Sequence, residues 1–399
     1  MALNTVSSDR LSTNVKNTNF TAAEKQDLTD YIKPLLGSSG GGNKNLVING
    51  AMQVAQRGTT STTQNAYTTV DRWKILSGGL DEGVTTAQSD ITSGLAYNDG
   101  FRKAYKVQNG NQTSGAGASD YLVPIYRFES QDLAKSGWNY VSSSSFITIS
   151  FYVKSSVAQT FQVQLYNSEP AQSKQYVFEY SATTSWTRIT HTVPGNSGLE
   201  IDNDVNHGLD LYFNLFHGTA STDNSYVNNQ WNNYGGGNPQ YKDNTSTWYT
   251  TNDATWEITG LQVEVGSVAT DFEHRSFADD LVKCQRYYYA AFPLNSQGAA
   301  IAVVGEYATT FNFSVIQFPC TMRTAPTGEI VNGSNYIKLF NPLDTSGRGC
   351  ASVTVGEATP QSSRLFYSSF ASNFSSTTGS GGYSYVANNS FKLCFTAEL

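Results

Sequence analysis

The stretch FITISFYV at residues 146–153 alternates apolar and polar side chains with a period of two. Its apolar side chains, which share one face, are Ile147, Ile149, Phe151 and Val153. This pattern is typical of a strand with one buried face, and it recurs in FQVQLY at 161–166 and LDLYFNLF at 209–216. Turn-forming residues separate these stretches, and no helical pattern lies between them. The sequence therefore predicts a mainly β chain in which residues 45–275 form an antiparallel, jelly-roll-like β-sandwich.

Residues 294–399 repeat this alternation in stretches such as TFNFSVIQF and SFKLCFTAEL, and we expect a separate, smaller C-terminal β domain there. A short amphipathic segment at 276–293 lies between the two β regions. Ser276 and Asp279 have the spacing of a capping box, and Pro293 is expected to end the segment. Its apolar residues at helical spacing are Phe277, Leu281, Cys284 and Tyr288. The sequence predicts a linking helix whose apolar stripe is either an oligomer interface with copies of itself or a spacer packed within the chain.

The first 44 residues have the pattern of an N-terminal segment with one helix. Thr21 and Glu24 fit a capping box, and apolar residues then recur at helical spacing until Pro34. A helix this short is marginal alone in water, so we expect it to dock on another protein or on its own copies, a frayed terminus being the alternative. GSSGGG at 37–42 has the composition of a flexible linker and marks the first domain boundary.

The composition excludes several classes of protein. Charged residues make up 14% of the chain and the net charge is -7, with no cluster of Lys and Arg, which argues against nucleic-acid binding. No run approaches the roughly 20 apolar residues that span a bilayer, so no membrane insertion is expected. The start MALNTVSSDR lacks the apolar core of a secretion signal.

The cysteines lie in the last third of the chain and show no C-x-x-C spacing: Cys284, Cys320, Cys350 and Cys394. With no export signal, reduced and packed thiols are favoured over disulfides, although three pairings are possible.

Residues 219–255 combine aromatic side chains with Asn and Asp and contain almost no aliphatic residue. The aromatic residues are Tyr226, Trp231, Tyr234, Tyr241, Trp248 and Tyr249. Flat aromatic faces stack on pyranose rings, and amides or carboxylates bond sugar hydroxyls. A long loop that cannot build its own core is usually functional or disordered. We therefore predict a ligand-binding surface formed by Tyr226, Trp231, Tyr234, Tyr241 and Trp248. The alternative is that these rings lie flat on the sandwich or on a neighbouring subunit.

Asp202, Asp204 and Asn206 alternate as calcium ligands do, but the stretch departs from an EF-hand. His207 stands where that loop has its turn Gly, and Phe213 stands where it has its bidentate Glu. An Asx-rich turn is the favoured interpretation. Calcium stays possible but is not predicted, and no other cofactor or metal is expected.

No catalytic residue is predicted. His191 lies on the alternating face with Ile189 and Val193, as expected of a packed or hydrogen-bonded histidine. The other histidines lack the G-x-S-x-G or H-E-x-x-H context of known catalytic motifs. A glycosidase needs two carboxylates that meet in space, which a sequence alone does not show.

Three segments carry a resemblance to a known family: NLVINGAMQVAQRGT at 45–59, DRW at 71–73 and GLQVEVGSVATDFEHRSFADDLVKCQRYY at 260–288. They resemble the framework of bacteriophage tail-fibre and receptor-binding proteins, in which such segments bracket a jelly roll similar to carbohydrate-binding modules. The resemblance covers roughly residues 45–290. We interpret Trp73, Leu261 and Val263 as core positions of the sandwich, and Asn49 with Gly50 as a turn. MALNTVSSDRLSTNV is also similar to the N-terminal attachment segment of such fibres.

The resemblance implies a virion component of the phage tail fibre, built as a homotrimer. It would join other tail proteins by its N-terminus and bind a host cell-surface glycan or protein without catalysis. Residues 294–399 carry no such resemblance and are expected to form a variable, host-facing tip. The alternatives are a structural virion protein, such as a head fibre or a tail-assembly adaptor, and then a depolymerase.

Overall fold

A computed structural model describes residues 44–235, 239–308, 311–341, 344–370 and 381–399. The predicted N-terminal helix and the Gly-rich linker lie outside the described residues. Residues Asn45–Leu399 form one compact unit. Within the described ranges, no helix is both long enough and apolar enough to cross a bilayer.

The first part of this unit is a sandwich of two antiparallel sheets. In spatial order the first sheet contains β1 (Thr60–Ser61), β3 (Thr85–Asp90), β4 (Lys103–Gln108), β13 (Thr255–Val265), β6 (Phe146–Ser155) and β9 (Thr187–Pro194). The second contains β11 (Phe216–His217), β5 (Tyr121–Glu129), β10 (His207–Asn214), β7 (Gln159–Asn167), β8 (Lys174–Ala182) and β12 (Trp231–Asn233), and β2 (Trp73–Gly78) also pairs with β5. Mainly β structure and the sandwich architecture are therefore confirmed.

The core of the sandwich lies where the predicted apolar faces of the two sheets meet. Phe213 of the second sheet contacts Phe151 and Trp256 of the first, with ring centroids 5.4 and 5.7 Å apart. Trp73 and Leu261 are fully buried in the same core, as predicted. Alternating apolar residues produce this core because successive side chains of a strand point to opposite faces.

The predicted turn at Asn49 and Gly50 is present and fixes the start of the sandwich against β13. Asn49 has φ 59°, in the left-handed region, and its side-chain oxygen accepts a hydrogen bond from the Val54 N–H at 2.9 Å. Leu261 N–H donates to the Gly50 carbonyl at 3.0 Å. A Cβ on Gly50 would lie 2.2 Å from the Leu261 carbonyl oxygen, so only glycine fits this approach.

The described residues contain four short helices, and one of them corrects a prediction. They are α1 (Leu95–Asn98), α2 (Ser130–Ala134), α3 (Thr247–Thr250) and α4 (Phe277–Gln285). In α4, Ser276 Oγ accepts from the Asp279 N–H, as the capping-box spacing predicted. The helix ends at Gln285 instead of continuing to residue 293. The aromatic run that follows enters a strand because aromatic side chains favour β structure and a pairing partner is present.

The C-terminal part contains a small sheet and a closed barrel. The small sheet contains, in spatial order, β14 (Tyr288–Phe292), β22 (Lys392–Thr396) and β17 (Thr327–Val331). The barrel contains β15 (Ala300–Ala308), β16 (Phe311–Gln317), β20 (Ser362–Phe370), β19 (Asp344–Ala358), β18 (Ile337–Asn341) and β21 (Gly381–Val386). This part has its own hydrophobic core, which confirms a C-terminal β domain distinct from the sandwich.

Buried ion pairs join the C-terminal part to the sandwich at what we call the junction, formed by Arg57, Arg72, Glu129, Arg286 and Glu398. The Glu398 carboxylate pairs with Arg57 at 3.1 Å and with Arg72. Arg286 contacts the Glu129 carboxylate at 2.6 and 3.0 Å. Desolvation opposes ionisation of Glu129, but hydrogen bonds from Arg286 and Tyr287 outweigh it and lower its pKa. The Arg286–Glu129 pair is therefore an ionised, hydrogen-bonded contact.

All four cysteines are free thiols. The buried ones are Cys284, Cys350 and Cys394. Burial raises the pKa of the Cys350 thiol to about 11, so it stays protonated at neutral pH.

Candidate functional site

The helix α3 places two aromatic residues of segment 219–255 inside the sandwich. Trp248 is fully buried, and its indole N–H donates to the Thr255 carbonyl at 3.1 Å. Tyr249 is also fully buried and stacks on Phe216 with ring centroids 4.1 Å apart. The prediction that Trp248 offers an exposed face is wrong, because the residues around it form a short helix that turns the ring into the core.

Tyr241 is also buried, and its contacts hold segment 219–255 against the outer face of the second sheet. Its hydroxyl donates to Gln164 Oε1 at 2.5 Å, and its ring stacks on His217 with centroids 4.2 Å apart. Burial raises the pKa of Tyr241 well above its usual value. With 3% of its surface exposed, Tyr241 is a packing residue, which corrects its predicted place in a binding surface.

Trp231 and Tyr226 keep part of their surface in contact with solvent. Trp231 lies on β12; its indole N–H donates to the Pro194 carbonyl at 2.7 Å, and its ring is 5.6 Å from that of Tyr176. The Tyr226 hydroxyl accepts from Asn232 Nδ2 at 3.1 Å. Both rings are half-buried, so their predicted role in ligand binding stays a prediction.

Tyr234 belongs to a group of three half-buried tyrosines that we call the tyrosine cluster: Tyr166, Tyr212 and Tyr234. The Tyr166 ring is 4.7 Å from that of Tyr234 and 5.9 Å from that of Tyr212, both in edge-on orientations. Tyr166 on β7 and Tyr212 on β10 alternate with core residues, which places them on the outer face of the second sheet. Tyr166 and Tyr212 were not among the predicted site residues, although the sequence shows that both are out of phase with the apolar face of their strands.

Residues that pair across neighbouring strands form rows on the outer face of the second sheet, around the tyrosine cluster. One row contains Arg127, Asp210, Tyr166 and Gln175. The next row contains Lys74, Ile125, Tyr212 and Gln164. Exposed amides lie beside the cluster as well, since Gln172 Nε2 donates to the Tyr234 carbonyl at 2.9 Å and Asn233 follows on β12. Aromatic, cationic and amide groups thus share one face.

Asp210 is the fully buried centre of the polar contacts on this face. Its two oxygens lie 3.1 Å from His207 Nδ1 and 3.2 Å from Arg127 Nε, and the Tyr212 hydroxyl donates to it at 3.1 Å. Burial raises the pKa of Tyr212, and the negative charge of Asp210 raises it further. Arg127 also donates to the Leu399 carbonyl at 2.8 Å. Asp210 therefore orients the groups that face solvent.

The predicted Asx turn accounts for the acidic stretch that begins at Asp202. Asp204 Oδ1 accepts from the Asn206 N–H at 2.8 Å, and its other oxygen accepts from the Asn206 side chain. In the described part of the chain, no group of three or more His, Cys, Asp or Glu side chains is placed to hold a metal ion. His191 stacks on Phe178 with centroids 3.9 Å apart and lies 3.2 Å from the Tyr176 hydroxyl, as expected of a packed histidine.

The predicted oligomer stripe on α4 is not one continuous surface. Cys284 and Tyr288 are fully buried within the chain, and Tyr288 lies on β14 under the Arg57 guanidinium, 3.5 Å from its ring centroid. Phe277 is 56% exposed, and Leu281 is half-buried. The prediction is therefore wrong for Cys284, which is on the helix but packs inside the chain, and for Tyr288, which lies on β14 because the chain leaves the helix before it.

The three sequence segments that carried the family resemblance come together in the structure. Gln56 Nε2 donates to the Tyr288 carbonyl at 2.7 Å. The Arg72 guanidinium lies 3.6 Å from the ring centroid of Tyr287. Burial raises the pKa of Asp71, whose carboxylate accepts from the Gln56 N–H, to about 6. Of these residues Arg72 belongs to the junction, and none is part of the tyrosine cluster.

No protein-family model matches the sequence, and no curated protein matches it. Several solved structures resemble parts of the fold. A family 11 carbohydrate-binding module from Clostridium thermocellum in complex with a β-1,3-1,4-mixed-linked tetrasaccharide is 14% identical, over 54% of this chain and 98% of the module, with a TM-score of 0.25. The N-terminal cellulose-binding domain of Cellulomonas fimi β-1,4-glucanase C is 11% identical, over 54% and 99% of the two chains, with a TM-score of 0.25.

A tailspike structure is similar over slightly more than half of this chain. The enzymatically active domain of tailspike protein 4 from bacteriophage CBA120 is 8% identical, over 56% of this chain and 22% of the tailspike, with a TM-score of 0.30. These scores are too low for any role to be transferred from the matched proteins. Function is therefore inferred below from the residues of this chain.

Proposed function

We propose that this chain is a receptor-binding protein of a bacteriophage tail fibre that recognises a glycan on the host surface without catalysing a reaction. The tyrosine cluster is the observation that carries this proposal. Three half-buried tyrosine rings on one sheet face offer apolar area to pack against sugar rings, and the neighbouring amides and Arg127 offer hydrogen bonds to hydroxyls. The family resemblance of residues 45–290 supports the phage assignment.

The environment of Asp210 supports a binding role over a catalytic one. A glycosidase acid or nucleophile must reach the scissile bond, and it works with a second carboxylate. Asp210 is fully buried and is held by His207, Arg127 and Tyr212. A carboxylate in this position orients its neighbours and does not contact a substrate.

The direct test is a Tyr234→Ala substitution with binding measured on an array of bacterial surface polysaccharides and on host cells. Loss of one packed ring should weaken glycan binding about tenfold, which corresponds to a loss of about 1 to 1.5 kcal/mol of binding free energy. Tyr97→Ala is the matched control, because Tyr97 is 37% exposed and lies on α1, outside the cluster. Unchanged glycan binding by Tyr234→Ala would remove the cluster from the binding site.

The wider assignment has separate tests. A chain that lacks residues 1–36 should still bind glycan but fail to join the virion, since we propose that the N-terminus attaches to other tail proteins. Incorporation of the complete chain into virions without any binding to glycan or host cells would instead favour a structural virion protein. Release of reducing sugar from host polysaccharide would favour a depolymerase.

We also propose a homotrimer, in line with the family resemblance. The exposed ring of Phe277 at the start of α4 is the part of the predicted interface that stays available for contact with another copy. The buried residues Cys284 and Tyr288 take no part in this proposal.

A further inference from the structure

Positively charged side chains lie at one side of the tyrosine cluster. Lys74 on β2 is in register with Ile125, which is in register with Tyr212. Two strand spacings, about 10 Å, therefore separate the backbones of Lys74 and Tyr212. Arg127 lies in the adjacent row of the same face. A ligand that packs on Tyr212 would thus meet cationic groups toward β2.

Lys74 has no counter-ion within 4.0 Å in the part of the chain that the structure describes. Its ammonium is 5.7 Å from the ring centroid of Tyr67, and the side chain is half-buried. Burial lowers the pKa of Lys74 and the positive charge of Arg127 lowers it further, while the negative charges of Asp210 and Glu398 oppose the shift. A nearby anion would stabilise the charged form of a lysine in this environment.

Asp210 and Glu398, the carboxylates whose charges act on Lys74, are already engaged. Asp210 is contacted by Arg127, His207 and Tyr212, and Glu398 pairs with Arg57 and Arg72 in the junction. Neither carboxylate is free to turn toward Lys74, because each is held on both oxygens. The missing negative charge is therefore one that a ligand can bring.

We infer that the tyrosine cluster recognises a glycan that carries an anionic substituent, and that Lys74 binds this substituent while a ring of the cluster packs against the sugar. This inference rests on the proposed function of the cluster and adds the chemical class of its ligand. A lysine ammonium is a point charge without the planar, two-pronged donor geometry of a guanidinium. It can therefore bind either a carboxylate, as in uronic and sialic acids, or a sulfate.

The experiment uses the full-length chain and an array of matched polysaccharide pairs. One arm compares uronic-acid and sialic-acid polymers with their carboxyl-reduced forms, and the other compares sulfated polymers with desulfated forms. We expect tighter binding to the acidic member of a pair, and the arm that shows it identifies the substituent. Lys74→Gln should weaken binding to that member about tenfold, the loss of one charge-assisted contact, and leave the neutral member unchanged.

Lys106→Gln is the matched control, because Lys106 is a half-buried lysine on β4 of the other sheet. Raising NaCl from about 0.05 to about 0.5 M should also weaken binding of the wild type to the acidic polymer, and it should weaken binding of Lys74→Gln to a smaller extent. Thermal melting of each variant verifies that it is folded.

The possible failures separate the two proposals. If the wild type binds acidic and neutral polymers equally and Tyr234→Ala loses this binding, the inference of an anionic ligand is overturned. The tyrosine cluster would then still be the glycan site. Preference for acidic members that survives Lys74→Gln overturns the role of Lys74. Absence of binding to every polymer overturns the proposed function together with this inference.

Discussion

Arg72 and Glu398 form a buried ion pair although 326 positions separate them in the chain. Their side chains are 1% and 6% exposed, and Arg57 contacts the same carboxylate. A buried pair of this kind is weak evidence for net stability, because both charges lose their water. Removing one partner is nevertheless costly, because the remaining charge stays buried without compensation.

We therefore expect Glu398→Gln to lower the free energy of unfolding by about 3 to 5 kcal/mol. Glu357→Gln is the control, since Glu357 pairs with Arg364 at 3.0 Å but both side chains are more than half exposed. That substitution should cost less than about 1 kcal/mol. Urea denaturation at neutral pH measures both values, and equal losses would show that the junction is not a desolvated ion pair.

Trp248 and Trp231 should differ in their effects on stability. Trp248→Ala removes a fully buried ring and its hydrogen bond to the Thr255 carbonyl, so it should lower the free energy of unfolding by about 3 to 5 kcal/mol. Trp231→Ala should cost about 1 to 2 kcal/mol, since that ring is half-buried. Urea denaturation distinguishes the two. Glycan binding per folded molecule should be normal in Trp248→Ala, and a specific loss there would restore its predicted role as a ligand-binding residue.

His217 should make the protein less stable in mild acid. Burial between aromatic rings lowers its pKa from 6.5 to about 3, so the unfolded chain binds a proton below about pH 6.5 that the folded chain does not. The free energy of unfolding therefore falls as the pH falls from about 6.5 toward 3. We expect this residue to contribute a loss of about 1 to 2 kcal/mol between pH 7 and 5, since its ring keeps some exposure.

The test compares urea denaturation of wild type and His217→Gln at both pH values. The variant loses the ring stacking and is expected to be less stable at pH 7, but its stability should change less between pH 7 and 5. An identical pH dependence in the two proteins would contradict the buried, neutral histidine.

Phe277→Asp tests self-association. If copies of the chain meet at the start of α4, a charge in place of this ring should shift sedimenting species from trimer to monomer, because an ionised group in an apolar contact is desolvated without a partner. Val227→Asp is the control at a residue that is 54% exposed and lies far along the chain from α4. A trimer that withstands Phe277→Asp would place the interface elsewhere, and a monomeric wild type would exclude the trimer.

Local pattern predicted those parts of the fold that depend on local sequence. The alternation around Leu211 and Phe151 identified strands and their buried faces, because an apolar strand face is buried whichever strands lie beside it. The end of α4 was missed because Tyr288 adopts strand structure through pairing with Thr396, near the end of the sequence. A helical spacing that continues into an aromatic run cannot reveal such a distant partner.

The candidate site was predicted less completely, for a related reason. Composition identified the aromatic segment at 219–255 but did not distinguish Tyr234, which keeps some exposure, from Tyr241, which packs under the segment. Tyr166 and Tyr212 lie on strands whose neighbours in the sheet are set by non-local register. Their meeting with Tyr234 becomes visible only when the path of the loop over the sheet is known.

The position of β22 has a consequence for how the chain folds as it is synthesised. The sandwich contains residues up to Val265, so its core can close while the remainder is still being translated. Strands β14 and β17 do not pair with each other; both pair with β22, which lies between them and ends at Thr396. The small sheet and the junction must therefore form after residues 392–398 leave the ribosome, and a translation product that stops before residue 392 would display a closed sandwich with the edges of β14 and β17 unpaired.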